Sequence, residues 1–74
     1  MTNEMIYKMM KKYLQEQFQK YGRVSSKGTY HSWNARLGID CSAQRFASME
    51  RQGLLHCCGK IDGCKYYEVV DFTK

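Results

Sequence analysis

Gly38 constrains this chain more than any other residue. It stands inside Leu37-Gly38-Ile39-Asp40, a break between two short stretches of helical periodicity. Before it, Tyr30, Trp33 and Leu37 recur at spacings of three and four. After it, Ala43, Phe46 and Met49 or Glu50 follow Ile39 around one side of a second helix. A left-handed backbone at glycine ends the first helix, so the stretch reads as two short amphipathic helices joined by a tight turn. The opposite side of the second helix carries Gln44, Arg45, Ser48, Arg51 and Gln52.

The rest of the chain supplies what this pair packs against. Residues 3–21 read as the longest helix. Ile6, Met9, Met10, Tyr13, Leu14, Phe18 and Tyr21 form its apolar stripe, Thr2 or Asn3 caps it, and Gly22 ends it. This stripe is first of all a core face, and a dimerisation face is its sharper alternative. Residues 23–28 make a linker in which Val24 adds a short strand. The second helix covers about 29–37. Asp40 is placed to cap the third, over about 41–52, and Gly53 stops it.

Beyond Gly53 the period changes from helical to alternating. Leu54 to Cys58 and Cys64 to Val70 read as two strands of a hairpin over 54–70, with its turn in Gly59-Lys60-Ile61-Asp62-Gly63. The expected architecture is one domain over 1–74, mainly α with a small β-hairpin. Leu14, Trp33, Leu37, Ile39, Phe46 and Leu54 are its expected core.

Composition narrows the function classes. A chain of 74 residues with 43% hydrophobic residues forms a small core and leaves little room for a deep catalytic pocket. No apolar run approaches the roughly 20 residues of a membrane span, and the start lacks the apolar stretch of a signal peptide, so a cytoplasmic location is expected. The net charge of +5 is unevenly spread. Residues 20–53 hold six basic residues against two acidic ones, whereas residues 54–74 hold three of each. The positive field thus centres on the helix pair, as phosphate binding favours.

His56, Cys57, Cys58 and Cys64 lack the paired spacing of a zinc site, and neighbours on a strand point to opposite faces. A hairpin disulfide from Cys57 or Cys58 to Cys64 is open by proximity, but free thiols are expected. No metal, cofactor or catalytic residue is assigned. His31 has no partner motif, and no nucleophile, paired-carboxylate or phosphate-loop pattern occurs, so the chain reads as a non-enzyme.

The order of three helices and a hairpin, with Trp33-x-x-x-Leu37-Gly38-Ile39 and then Ala43-x-Arg45-Phe46-x-x-Met49-x-x-x-Gly53-Leu54-Leu55, resembles winged helix-turn-helix proteins. The likeness covers about residues 24–70 and is greatest to small helix-turn-helix regulators of bacteriophages and prophages. It implies binding of double-stranded DNA in transcription or recombination, with the third helix in the major groove.

On that reading Gln44, Arg45 and Ser48 read bases. Lys20, Arg23, Ser25, Ser26, Lys27, Thr29, Ser42, Arg51 and Lys60 contact phosphates. One module this small needs a homodimer or repeated sites for useful specificity. The rival reading is a protein-interaction module on the same fold, such as a phage-encoded inhibitor or adaptor of a host protein. It calls for an exposed apolar patch from Met5, Met9, Tyr66, Tyr67 or Phe72.

Overall fold

The computed structural model describes residues 2–70 and 72. It contains three helices, α1 (Asn3–Tyr21), α2 (Tyr30–Leu37) and α3 (Ala43–Arg51), and three strands, β1 (Lys27–Gly28), β2 (His56–Ile61) and β3 (Cys64–Glu68). The strands form one antiparallel sheet in the order β1-β3-β2. None of the described helices is long and apolar enough to cross a membrane.

Each helix begins at a hydroxyl. Thr2, Thr29 and Ser42 accept from the backbone N–H three residues on, at 3.2, 3.3 and 3.3 Å. Asp40 therefore does not cap α3, and the helix starts two residues later than expected. The reason lies in Asn34. Its amide donates to the Cys41 carbonyl at 2.7 Å, and its Oδ1 accepts from the Cys41 N–H at 3.2 Å. Both backbone groups of Cys41 are thereby held by a side chain rather than by a helix.

The last two helices end alike. Gly38 and Gly53 are left-handed, with φ of 68° and 79°. The aliphatic residue after each donates back to the preceding helix, Ile39 to Asn34 O at 3.1 Å and Leu54 to Met49 O at 3.0 Å. Leu54 and Leu55 thus belong to a helix terminus, not to the expected first strand. That strand runs instead through Gly59, Lys60 and Ile61, and only Asp62 and Gly63, with φ of 52° and 80°, make the turn. Cys57 pairs with Tyr67 and Gly59 with Tyr66, so Cys58 is the extra residue of a bulge.

The core joins Ile6, Met10 and Leu14 of α1 to Trp33, Phe46, Met49, Leu55, Tyr67 and Val69. Phe46 lies against Tyr67 with ring centroids 5.6 Å apart, and Tyr13 meets Trp33 edge-on at 6.5 Å. Leu14, Trp33 and Phe46 are buried as expected. Leu37, Ile39 and Leu54 are only half-buried, because they close helix ends at the rim of the core. Phe18 and Tyr21 are exposed on the last turn of α1, where Phe18 meets only Phe72 edge-on at 5.9 Å among the aromatic contacts. On α3, Ala43 is exposed and Glu50 half-buried, so Phe46 and Met49 alone carry that helix's burial.

The third strand is β1, at Lys27–Gly28 rather than at Val24. Gly28 is buried beside Trp33, and a Cβ there would run into Ser32 Oγ. Arg36 straps this segment down. Its guanidinium lies 4.7 Å from the Trp33 ring centroid and donates to the carbonyls of Ser25 at 3.1 Å and Lys27 at 3.3 Å.

Two substitutions test this packing. Phe46→Ala should cost about 3–5 kcal/mol in denaturant unfolding, a large share of the stability of a domain this small. Gly28→Ala should cost about 1–3 kcal/mol by overpacking against Ser32 and Trp33. An unchanged midpoint for either contradicts the packing described.

Candidate nucleic-acid interface

Burial of Phe46 and Met49 fixes the rotation of α3. At 100° per residue, Gln44, Ala47, Ser48 and Arg51 then point away from the core. Gln44 and Arg51 are exposed, and Ala47 and Ser48 half-buried. Ala47 leaves the middle of this face low, so the helix backbone can come close to a partner.

The two flanks of α3 are held differently. On one, Asn3 of α1 acts as a hub. Its Nδ2 donates to Ser48 Oγ and to Gln52 Oε1, both at 3.1 Å, and its Oδ1 accepts from Arg45 Nη1 at 3.1 Å. Thr2 caps α1, so the Asn3 amide is spared for this cross-helix task. Arg45 is consequently half-buried on the flank and tied to α1, not at the exposed centre of the helix.

On the other flank lies the β2–β3 hairpin. Lys65 Nζ stands 3.9 Å from Glu50 Oε1, both partly exposed, a pair worth about 0–1 kcal/mol. Lys60 is the cross-strand partner of Lys65. Between hairpin and helix runs an open groove lined by Tyr30, Gln44, Ala47, Lys60, Cys64 and Lys65, among others. A second, shallow and more polar hollow lies on the Asn3 side, between Ser42, Gln44, Arg45 and Ser48.

The residues expected to contact phosphate fall into two groups. Ser42, Arg51 and Lys60 stay around α3. Ser42 uses its oxygen to cap the helix, and its O–H remains able to donate. Lys20, Arg23, Ser25, Ser26, Lys27 and Thr29 gather around the far end of α1 and β1. Asn3 and Lys20 are separated by about 25 Å of helix axis. Lys20 lies over the Tyr21 ring at 5.2 Å, and Lys27 faces Glu68 across the strand pair. Ser25 Oγ folds onto the Lys27 backbone, Ser26 O accepts from Val69 N at 3.3 Å, and Thr29 caps α2.

Lys65, Asn3 and Arg36 received no binding or structural role from the sequence beyond a cap for Asn3. The hairpin alternation could have placed Lys65 beside Lys60. The reach of Asn3 to α3 has no local signal.

All four cysteines are free thiols. Cys58 Sγ donates to Tyr66 O at 3.4 Å and Cys57 Sγ to Gly59 O at 3.6 Å. Among the described residues no three His, Cys, Asp or Glu side chains are grouped to hold a metal. No protein-family model, curated protein or solved structure matches the chain.

Tyr67, under the groove, has its phenol pushed above the ordinary value, first by burial and then by the charges of Glu50 and Cys57. The folded chain therefore keeps this proton to higher pH than the unfolded chain. The associated stability is present below about pH 10 and is lost as pH rises through the raised folded value. Urea unfolding across this alkaline range should show that decline, and Tyr67→Phe should flatten it. An equal decline in the variant contradicts the assignment.

Proposed function

We propose that the protein is a small winged-helix regulator that binds double-stranded DNA in transcription or recombination. The supporting observation is the pairing of the outward face of α3, bearing Gln44, Ser48 and Arg51, with Lys60 and Lys65 across the hairpin groove. An α-helix with its side chains is about 10–12 Å across and matches a major groove about 12 Å wide. Gln44 offers the bidentate amide that suits adenine, and Ser48 a hydroxyl donor and acceptor. Arg45, held by Asn3, reaches the same groove from the flank. Ser42 and Arg51 meet phosphates beside α3, and Lys60 does so from the hairpin.

The protein-interaction reading calls for an exposed apolar patch. Of the residues named for it, Tyr67 is buried, Met9, Tyr66 and Phe72 are half-buried and Met5 is exposed, while Phe18, Tyr21, Ile61 and Val70 are exposed elsewhere.

Salt-titrated binding to genomic and random duplexes tests the proposal. Gln44→Ala should cost about 1–3 kcal/mol on the preferred sequence and relax preference at one base pair. Lys60→Ala should weaken all sequences alike and reduce the salt slope by about one. Absence of salt-dependent duplex binding by the folded protein would overturn the proposal.

A further inference from the structure

The hollow on the Asn3 side of α3 does not end at Asn3. That residue also borders a third hollow, formed with Tyr7, Lys8, Lys11 and Gln52, so the depressions adjoin one another across the molecule. Gln44 is shared in the same way by the polar hollow and the hairpin groove. This series of hollows, linked through Gln44 and Asn3, runs from Lys60 and Lys65, past the outer face of α3, to the first turns of α1.

Its two ends are basic. Lys8 is exposed, and Lys11 is half-buried with its Nζ 5.5 Å from the Tyr7 ring centroid. Glu4 is the acidic residue at that end, and Glu50 at the other lies beside Lys65. The hydrogen bonds of Asn3 to Arg45, Ser48 and Gln52 lock the α1 end against one flank of α3, as Glu50–Lys65 joins the hairpin to the other. A helix seated in a major groove has a phosphate backbone on each side. Here each flank of the helix carries a lysine pair.

We infer that Lys8 and Lys11 form a second phosphate-binding wall, so that duplex DNA is gripped from both flanks of α3, with Asn3 setting the distance between wall and helix. This rests on the DNA-binding reading above. It moves the footprint away from Lys20, in the last turn of α1, and Arg23, just beyond it, which border none of the three hollows.

The test is fluorescence anisotropy of a labelled mixed-sequence duplex between about 50 and 200 mM salt. The Lys8→Ala/Lys11→Ala protein is compared with Lys20→Ala/Arg23→Ala, which removes the same charge. Lys8→Gln/Lys11→Gln serves as a second form of the first variant, and circular dichroism verifies the fold of each. Loss of two phosphate contacts should lower the salt slope by about 1.8 in the Lys8/Lys11 variants and leave it unchanged in the Lys20/Arg23 variant. A fall no larger in the Lys8/Lys11 variants than in the Lys20/Arg23 variant overturns the inference while wild-type binding upholds the DNA reading. Failure of the wild-type protein to bind duplex overturns both.

Discussion

The contact between Phe46 and Tyr67 governs the rest of the structure. Together with Met49 it decides how α3 is rolled on the sheet. A residue's step on a helix is 100°, so rolling α3 by one position would exchange its outer face for a flank. With Phe46 down, Gln44 and Arg51 point outward, Arg45 turns toward α1 and Glu50 toward the hairpin. The polar hub of Asn3 and the Glu50–Lys65 pair stand where that roll puts their partners. Neither is strong enough to set it, since a surface ion pair contributes about 0–1 kcal/mol and a net hydrogen bond about 0.5–1.5 kcal/mol.

Period and punctuation made the three helices and the hairpin legible in the chain. Gly22, Gly38 and Gly53 mark the helix ends, and the Asp62-Gly63 pair marks the turn. These signals are local, and the structure obeys them. Two departures have another cause, a side chain from elsewhere holding a backbone group, whereas the late start of β2 comes from the Leu54 N–H closing α3. Asn34, seven residues away, takes both polar groups of Cys41 and delays α3, which no reading of residues 38–42 alone reveals. The strand at Lys27–Gly28 exists because Arg36 and Trp33 hold it against β3, not because of its own propensity.

The candidate site was less legible than the fold. The outward direction of Gln44 and Ser48 followed from periodicity. The place of Arg45 did not, because a wheel divides a helix into two faces while its real surroundings distinguish outer face from flanks. The basic residues between 20 and 53 looked like one field because they are neighbours in sequence. In space α1 spreads them, with Lys20 and Arg23 at one end and Arg45 near the other. Lys8 and Lys11, early on a helix whose other face is core, gave no signal until Asn3 connected their turn to α3.

On the proposed function, α3 and both of its flanks meet DNA. The most direct measurement is a two-dimensional amide NMR titration of the isotope-labelled protein with duplex DNA. Binding through this face should give salt-sensitive shift changes concentrated at Gln44, Ser48, Arg51, Lys60 and Lys65 and at Lys8 and Lys11, with little change along β1 or at the last turn of α1. Changes centred on Lys20, Arg23 and Lys27, or a spectrum that the duplex leaves unaltered, would contradict it.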